Sequence, residues 1–360
     1  MQDIIIIGGG IAGLSAGGRL SNEANITLLE AEENLGHHTS SRSAAAFIED
    51  YGNNTIRELN KGSKHYLQSK EVDVLSPRGS LFLGKDTERE AFKKQCIEFA
   101  HNEISISDAK NLLEIVNVKT TKYAAYREDI LDIDTDKLLQ HFTKIINKNN
   151  NNIFTRSKVS KVSFDNHKWH VEAAGKSFSS DILVNASGAW ADEIAVLAGL
   201  KPLGLSPLKR SMARVPAPDN AINPRTWPMI HGVDESFYAK PDAGELIVSP
   251  SEETKSFPHD AWPTEEDLAQ GIFNFEEMVT FSVKRITSSW AGLRTFAPDR
   301  TLVIGHDPIN PHFFWLAGQG GYGFQTSAAA SELASDIILG KKTTLGHLIE
   351  KVSPKRFFSK

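Results

Sequence analysis

The N-terminal pattern of apolar and small residues predicts a strand, a helix and a second strand. Residues 4–7 are four consecutive isoleucines, and an unbroken β-branched run is typical of a parallel strand that is buried on both faces. Three glycines end this run, small and apolar residues then recur at helical spacing over 11–20, and 26–30 is again strand-like. The first 30 residues are therefore predicted to form one βαβ unit.

Further segments continue this α/β pattern through the first half of the chain. Asp134 has the side chain of a helix N-cap and precedes a predicted helix over 137–147. Residues 153–155 follow an asparagine-rich turn, and 182–185 precede a turn of small residues, so both are predicted strands.

The pattern changes between about residues 202 and 296. Short alternating segments with many Pro, Trp and Tyr residues favour an antiparallel sheet there. Continuous apolar strands return at 302–305 and 313–317, and the glycine-rich loop 318–323 opens a helix of small residues over 326–339. A glycine loop that precedes a helix therefore occurs near both ends of the chain.

The composition is typical of a folded chain and argues against some classes of binding partner. The 360 residues carry 40 Lys and Arg against 45 Asp and Glu, a formal charge of −5 without a basic block, so no nucleic-acid partner is expected. The single cysteine excludes an intrachain disulfide and fits a reducing compartment. The chain lacks a basic leader and any run of about 18 apolar residues, so we expect a cytoplasmic protein without a transmembrane segment.

The first glycine loop has the spacing of a dinucleotide-binding motif. Gly8, Gly10 and Gly13 follow the first strand and open the first helix, and Glu30 lies about 20 positions further on. Glycines let the backbone approach a pyrophosphate, the helix N-terminus attracts its charge, and the acid binds the ribose hydroxyls. The histidines lack metal-ligand spacing, so no metal site is predicted.

Eight segments together point to one flavoenzyme family. They are 8–13, 39–45, 75–78, 132–136, 184–190, 234–238, 290–294 and 319–327. On these segments the chain resembles the FAD-dependent D-amino-acid oxidase superfamily, which includes the glycine oxidases and sarcosine oxidases, over nearly its full length. Within that superfamily the resemblance is nearest to the bacterial D-arginine dehydrogenases.

The resemblance implies a mixed α/β (α+β) fold in which a Rossmann-like FAD-binding domain carries an inserted antiparallel-sheet substrate domain. The discontinuous FAD-binding domain is expected to comprise residues 1–74, 134–200 and 296–360, and the substrate domain residues 75–133 and 201–295. The resemblance further implies hydride transfer from a substrate α-carbon to flavin N5.

The resemblance also assigns residues to the cofactor by position. These are Gly8, Gly10 and Gly13 at the pyrophosphate, Glu30 at the ribose, Arg42, Ser43 and Ala44 along the flavin and diphosphate, Val159 at the adenine, and Gly320, Gly321 and Tyr322 at the pyrimidine end of the flavin. The sarcosine-oxidase branch attaches its flavin through a cysteine near the C-terminal segment. Because Cys96 is remote from that segment, the FAD is expected to be non-covalent.

A second set of residues is assigned to an amino-acid substrate. Arg294 matches the carboxylate-binding arginine of the family, and its planar donor fork suits that task. Arg210 and Tyr238 match two further carboxylate contacts, Tyr51 matches a lid tyrosine, and Gly320 completes the predicted catalytic site.

Two positions depart from the arginine enzymes. Ala46 replaces an active-site histidine, and Ser80 replaces the glutamate that pairs with the substrate guanidinium. Removing one partner of a buried ion pair costs about 2–5 kcal/mol, so we expect neutral D-amino acids to match or exceed D-arginine as substrates. Glu49 and Asp50 are candidate replacement acids, although solvated loop carboxylates are more common.

These assignments predict an FAD-dependent dehydrogenase or oxidase that converts a D-amino acid to an imine. Water then hydrolyses the imine to a 2-oxo acid and ammonia, and the electron acceptor is unidentified. Two alternatives stay open at this point. A 2-hydroxy-acid dehydrogenase of the same superfamily would need a base close to Gly320 to take the hydroxyl proton, and a flavin-retaining binding protein would turn nothing over.

Overall fold

The computed structural model describes residues 1–358. Within that range the backbone forms 21 β-strands, which are β1 (Gln2–Ile7), β2 (Ala24–Leu29), β3 (Ala46–Phe47), β4 (Leu75–Pro77), β5 (Ser80–Lys85), β6 (Asn102–Ile104), β7 (Thr121–Arg127), β8 (Leu131–Ile133), β9 (Asn152–Phe154), β10 (Val159–Asp165), β11 (Lys168–Ala173), β12 (Lys176–Ser180), β13 (Ile182–Asn185), β14 (Ser206–Pro216), β15 (Met229–Gly232), β16 (Tyr238–Asp242), β17 (Glu245–Ser249), β18 (Thr254–Lys255), β19 (Ser288–Phe296), β20 (Val303–His306) and β21 (Phe313–Ala317).

The same residues form nine α-helices, which are α1 (Ile11–Leu20), α2 (Asn54–Gln68), α3 (Arg89–Glu98), α4 (Ile106–Leu112), α5 (Thr135–Lys148), α6 (Ala191–Leu197), α7 (Glu265–Met278), α8 (Gly323–Ile338) and α9 (Ile349–Val352). In this part of the chain no helix has both the length and the apolar character needed to cross a bilayer.

The first sheet has six strands in the order β20–β21–β13–β1–β2–β9. Its strands are parallel except for β20, which pairs antiparallel with β21. Ile4 and Ile6 pack into a core with helices α1, α2, α5 and α8 on one face. Ile5 and Ile7 pack on the other face with Trp169 and Trp315. Cover on both faces explains why the isoleucine run is continuous.

The second sheet has nine strands. Eight follow the order β18–β14–β17–β16–β15–β5–β7–β6, and β19 pairs with β14. Its pairings are antiparallel except that of β15 with β5. The antiparallel sheet predicted for about 202–296 is therefore present, and it gains three strands from 80–127. The predicted mixed α/β fold class is confirmed.

The fold differs from the sequence prediction in two small sheets and in the start of one helix. Two further three-stranded sheets, β10–β11–β12 and β3–β8–β4, are not predicted from the sequence, and the strands of the second have only two or three residues, too few for a periodic signal. Helix α5 begins at Thr135 because the side chain of Asp134 accepts from the Lys137 N–H at 2.9 Å. That start is two residues before the predicted one.

Candidate active site

A cavity of about 280 Å³ lies where the carboxyl ends of β1, β13 and β21 meet one face of the second sheet. Open parallel sheets bind ligands at this edge. The predicted site residues that line the cavity are Gly10, Arg42, Ser43, Ala44, Tyr51, Arg210, Tyr238, Arg294, Gly320 and Gly321. The predicted residues outside its lining are Gly8, Gly13, Glu30, Val159 and Tyr322.

The first glycine loop brings the start of α1 against the end of β1. A Cβ atom on Gly13 would lie 1.9 Å from the carbonyl oxygen of Gly8, so a larger residue requires the backbone to move. Gly10, Ile11 and Ala12 line the cavity at the N-terminus of α1. Helix N-termini favour negative charge, so the geometry suits a pyrophosphate.

Glu30 is buried and holds the first glycine loop in place. Its carboxylate accepts from the N–H groups of Gly9 at 2.6 Å and Glu32 at 2.9 Å. Val159 begins β10, and backbone bonds from 156–157 to Glu32 and Glu30 bring that segment beside the carboxylate. The contacts of Glu30 with the ribose and of Val159 with the adenine stay predictions.

Arg42 uses its side chain within the protein. Its guanidinium donates to the carbonyl oxygens of Ala261 at 3.0 Å and Ala291 at 2.8 Å, so it joins the loop before α7 to β19. Ser43 and Ala44 follow it along the cavity and present small side chains there. What this segment offers a ligand is therefore its backbone and the space beside it.

The second glycine loop places the N-terminus of α8 at the same cavity. The N–H of Gly320 donates to the carbonyl oxygen of Thr295 on β19 at 2.8 Å. A Cβ atom on Gly321 would lie 2.2 Å from a terminal nitrogen of Arg294. A side chain at Gly321 would thus displace the arginine. Tyr322 is the N-cap of α8, and its ring packs against Tyr51, with ring centroids 5.3 Å apart, outside the cavity lining.

Two buried arginines lie on the adjacent strands β14 and β19. The terminal nitrogens of Arg210 and Arg294 lie 3.6 and 3.8 Å from Oε1 of Glu253, which is too far for a hydrogen bond. Within residues 1–358, Nη2 of Arg210 and Nε of Arg294 are buried without a hydrogen-bond partner. Because buried donors without partners are costly, this pair is complementary to an anion such as a carboxylate.

Two tyrosines lie next to the arginine pair. Burial opposes the charge of Arg294, but Tyr51, Tyr238 and Glu253 favour it, and the pKa of Arg294 lies above its usual value. Burial raises the pKa of Tyr238, whose hydroxyl donates to the sulfur of Met212 at 3.2 Å. This part of the wall therefore combines a fixed positive charge with hydroxyl groups.

Another part of the wall contains histidines that sequence reasoning missed. Nε2 of His101 lies 2.9 Å from the hydroxyl of Ser80, and its Nδ1 lies 3.1 Å from the carbonyl oxygen of Phe99. His231 lies directly opposite Tyr238 in the sheet. Burial lowers the pKa of His101 to about 4 and that of His231 to about 3. Strand pairing places His231, and His101 reaches Ser80 from the segment just before β6, so no local motif signals either residue.

Both candidate replacement acids have partners elsewhere. Glu49 pairs with Lys64 at 2.7 Å, and Asp50 pairs with Arg127 at 2.9 Å, and neither lines the cavity. The one carboxylate in the lining formed by the described residues belongs to Glu235, which is exposed. Ser80 and Ala46, the two positions that depart from the arginine enzymes, both line the cavity.

Cys96 lies outside the cavity. It is buried in α3, where it packs with Phe82 and Phe92, and burial raises the pKa of its thiol to about 12. A thiol with so high a pKa is a poor nucleophile.

One group of possible metal ligands lies near the first glycine loop. The ligand atoms of Glu32, His37 and His38 lie within 4.8 Å of one another, although their spacing matches no metal motif. His38 is already bonded to Glu32 at 3.0 Å, and its ring packs against Trp190. We assign no metal to this group.

Comparison with known proteins places this geometry in context. A model of the family described as FAD dependent oxidoreductase matches residues 3–337. The hydrogen cyanide synthase subunit HcnC of Pseudomonas aeruginosa is 26% identical over 161 residues, which is 43% of this chain and 36% of that protein. The FAD-dependent oxidoreductase domain-containing protein 1 of Xenopus laevis is 25% identical over 210 residues, 51% of this chain and 40% of that protein. Each match thus spans less than half of the relative.

Solved structures with the same fold align along nearly the whole chain. L-proline dehydrogenase from P. horikoshii has a TM-score of 0.82 at 22% identity and covers 99% of this chain and 98% of its own. Glycine oxidase from Geobacillus kaustophilus has a TM-score of 0.83 at 18% identity, with 99% of both chains covered. L-amino acid deaminase from Proteus vulgaris has a TM-score of 0.81 at 16% identity, with 99% and 97% covered. At these identities the similarity establishes the fold.

Proposed function

Because the chain belongs to the FAD dependent oxidoreductase family, we propose that it oxidises the α-carbon of a D-amino acid in the cavity between its two large sheets. The product is an imine, which water hydrolyses to a 2-oxo acid and ammonia. The observation that carries the proposal is the pair of buried guanidinium groups in the cavity wall, Arg210 and Arg294, each with a donor that has no partner within residues 1–358. Two of the structural neighbours, a glycine oxidase and an L-amino acid deaminase, also favour an amino-acid substrate.

FAD would be held in the part of the cavity beside the two glycine loops. The close approach of Gly13 to the Gly8 carbonyl holds the start of α1 against the end of β1. The N-termini of α1 and α8 both border the space. When bound, FAD accepts the hydride that leaves the substrate α-carbon. We infer that it is held without a covalent bond, because the thiol of Cys96 is buried away from the cavity.

Arg294 and Arg210 would hold the substrate carboxylate with charge-assisted hydrogen bonds, and the hydroxyl groups of Tyr238 and Tyr51 lie beside them. Fixing the carboxylate at two or more points orients the α-hydrogen, which lowers the entropy barrier to its transfer. Substrate selection in this scheme begins with the carboxylate, so amino acid amides are expected to be poor substrates.

The substrate amine would enter as the neutral form, and no protein base is needed to deprotonate it within the cavity. A 2-hydroxy acid differs, because its hydroxyl proton must pass to a base. The histidines of the wall, His101 and His231, have pKa values of about 4 and 3 and are weak bases at neutral pH. This favours an amino acid over a 2-hydroxy acid.

The experiment that tests the proposal is anaerobic mixing of the purified yellow protein with three panels of compounds. These are D-amino acids, their L-enantiomers and 2-hydroxy acids, and loss of flavin absorbance is the readout. Bleaching by members of the D-amino acid panel alone supports the proposal. Bleaching by 2-hydroxy acids alone would assign the protein to that alternative class, and bleaching by none would leave a flavin-binding protein without turnover.

A further inference from the structure

Four side chains on two neighbouring strands form one surface of the cavity. Strands β5 and β15 pair in parallel, with Met229 opposite Ser80 and His231 opposite Phe82. Because alternate residues of a strand point to the same face, these four side chains share a face, and all four line the cavity. We call this surface the β5–β15 wall.

The protonation state of His101 determines what Ser80 offers in this wall. The carbonyl of Phe99 can only accept, so Nδ1 of His101 carries the hydrogen of that bond. His101 is neutral because burial keeps its pKa near 4, so its Nε2 has no hydrogen and accepts from the hydroxyl of Ser80. The oxygen of Ser80 therefore has its hydrogen engaged and its lone pairs available to accept from a ligand.

His231 supplies the complementary group. Its side chain lines the cavity, and among the described residues neither of its ring nitrogens has a hydrogen-bond partner. A neutral imidazole has one N–H donor and one bare nitrogen acceptor. The wall thus presents acceptors at Ser80 and His231 and a donor at His231, with no formal charge among them.

The separation of this wall from the carboxylate site limits the length of the ligand. Tyr238 lies on β16, and β16 is two strands away from β5 in the order β16–β15–β5. At about 4.8 Å per strand and about 3.3 Å per residue, His231, which is opposite Tyr238, is about 5 Å from it, and Ser80, two strands across and two residues along, is about 12 Å from it. The β5–β15 wall therefore begins one strand from Tyr238, at His231, and extends away from it to Ser80, so a substrate side chain must be long to contact it.

We propose that the β5–β15 wall selects a long, uncharged side chain that both donates and accepts hydrogen bonds, with a terminal carboxamide as the best match. The proposal rests on the proposed function, because it takes the substrate to be an α-amino acid anchored at Arg294 and Arg210. Arginine and lysine side chains lack an acceptor and carry a charge that this wall does not compensate. Glu235 lies in the cavity lining but not on this wall. It is exposed, so water screens its charge.

The test compares D-glutamine with D-methionine, an apolar side chain of similar length, and with D-arginine. We measure kcat/KM for the parent protein and for Ser80→Ala, His231→Leu, Ser80→Glu and, as a matched control, Glu235→Gln. Ser80→Ala and His231→Leu should each lower kcat/KM for D-glutamine about tenfold and change that for D-methionine less than about twofold. Ser80→Glu should shift the preference toward D-arginine, and Glu235→Gln should leave all three values within about twofold.

Two results would overturn the proposal. One is an equal loss for D-glutamine and D-methionine in Ser80→Ala and His231→Leu, or no loss for either, which would make the two residues structural or irrelevant. The other is a preference of the parent for D-arginine that disappears in Glu235→Gln, which would assign side-chain recognition to that acid. Binding is also followed through perturbation of the flavin spectrum, with the same expected ratios, so the wall is tested even when no D-amino acid bleaches the flavin and the proposed function fails.

Discussion

The two sides of the cavity differ in what forms them, which is mainly backbone on one side and side chains on the other. The cofactor side consists of backbone in close approach, as at Gly13, where an added methyl group would meet the Gly8 carbonyl at 1.9 Å. The substrate side consists of side chains on regular strands, as at Ser80 and His231. A strand position accepts many residue types, whereas the glycine loop accepts one. On the proposed function, the backbone therefore constrains the cofactor site, whereas exchangeable side chains select the substrate.

The largest effect is expected where the backbone leaves no room. In Gly13→Ala the new methyl group must displace the start of α1 or the end of β1, so the protein should purify without its yellow cofactor. Gly346→Ala is the matched control, because a Cβ atom there meets only one atom, at 3.9 Å, and it should retain FAD. Flavin content per protein is the measurement. Full retention in Gly13→Ala would contradict the close-approach account.

A charged side chain should matter almost as much. Arg294→Met removes a charge-assisted contact to the carboxylate, so kcat/KM should fall at least about 10²-fold, or roughly 3 kcal/mol. Arg300→Met is the control, since Arg300 pairs with the same Glu253 at 2.9 Å but lies outside the cavity lining. We expect less than about threefold loss there. Similar losses in both variants would show that Glu253, and not carboxylate binding, is what Arg294 serves.

The buried neutral histidines should make the free energy of unfolding depend on pH. Burial lowers the pKa of His101 from 6.5 to about 4, so the unfolded chain binds this proton first as the pH falls. The stability that this group contributes is complete above pH 6.5 and is lost between pH 6.5 and 4.

The variant that isolates this effect is His101→Gln. Between pH 7 and pH 4 its free energy of unfolding should fall by about 3 kcal/mol less than that of the parent. His347→Gln, at a position 55% exposed, is the control and should follow the parent. Urea denaturation at the two pH values provides the measurement, and parallel loss in parent and His101→Gln would mean that His101 is charged in the native protein.

The smallest effect is expected at Cys96. Cys96→Ala should keep the flavin and change kcat/KM less than about twofold, because the thiol is buried behind the cavity wall and does not line the cavity. Acid precipitation should release the flavin to the supernatant from both the parent and the variant. Flavin that stays with the parent's pellet and leaves with the variant's supernatant would place a covalent link at this cysteine.

The features that the sequence predicts are local ones, and the features that it does not predict depend on the whole second sheet. The βαβ unit and the role of Gly13 are local, because strand, loop and helix are consecutive in the chain. Arg294 is assigned by its match to the carboxylate-binding arginine of the family, and this role stays a prediction. The pairing of Ser80 with His101 and the position of His231 depend on three strands whose register is set by the whole sheet. No spacing along the chain encodes that register, so Ser80 could be singled out from the sequence but its arrangement with the two histidines could not.

The limiting rate of anaerobic flavin bleaching, compared between a D-amino acid and its α-deuterated form, shows whether the bond to the α-hydrogen breaks during flavin reduction. The claim is that the bond between the α-carbon and its hydrogen breaks while Arg294 and Arg210 hold the carboxylate. We predict bleaching by both forms, several-fold slower for the deuterated one at saturating concentration, with one 2-oxo acid and one ammonia formed per flavin reduced. Equal limiting rates for the two forms, or bleaching that yields no ammonia, would contradict the claim.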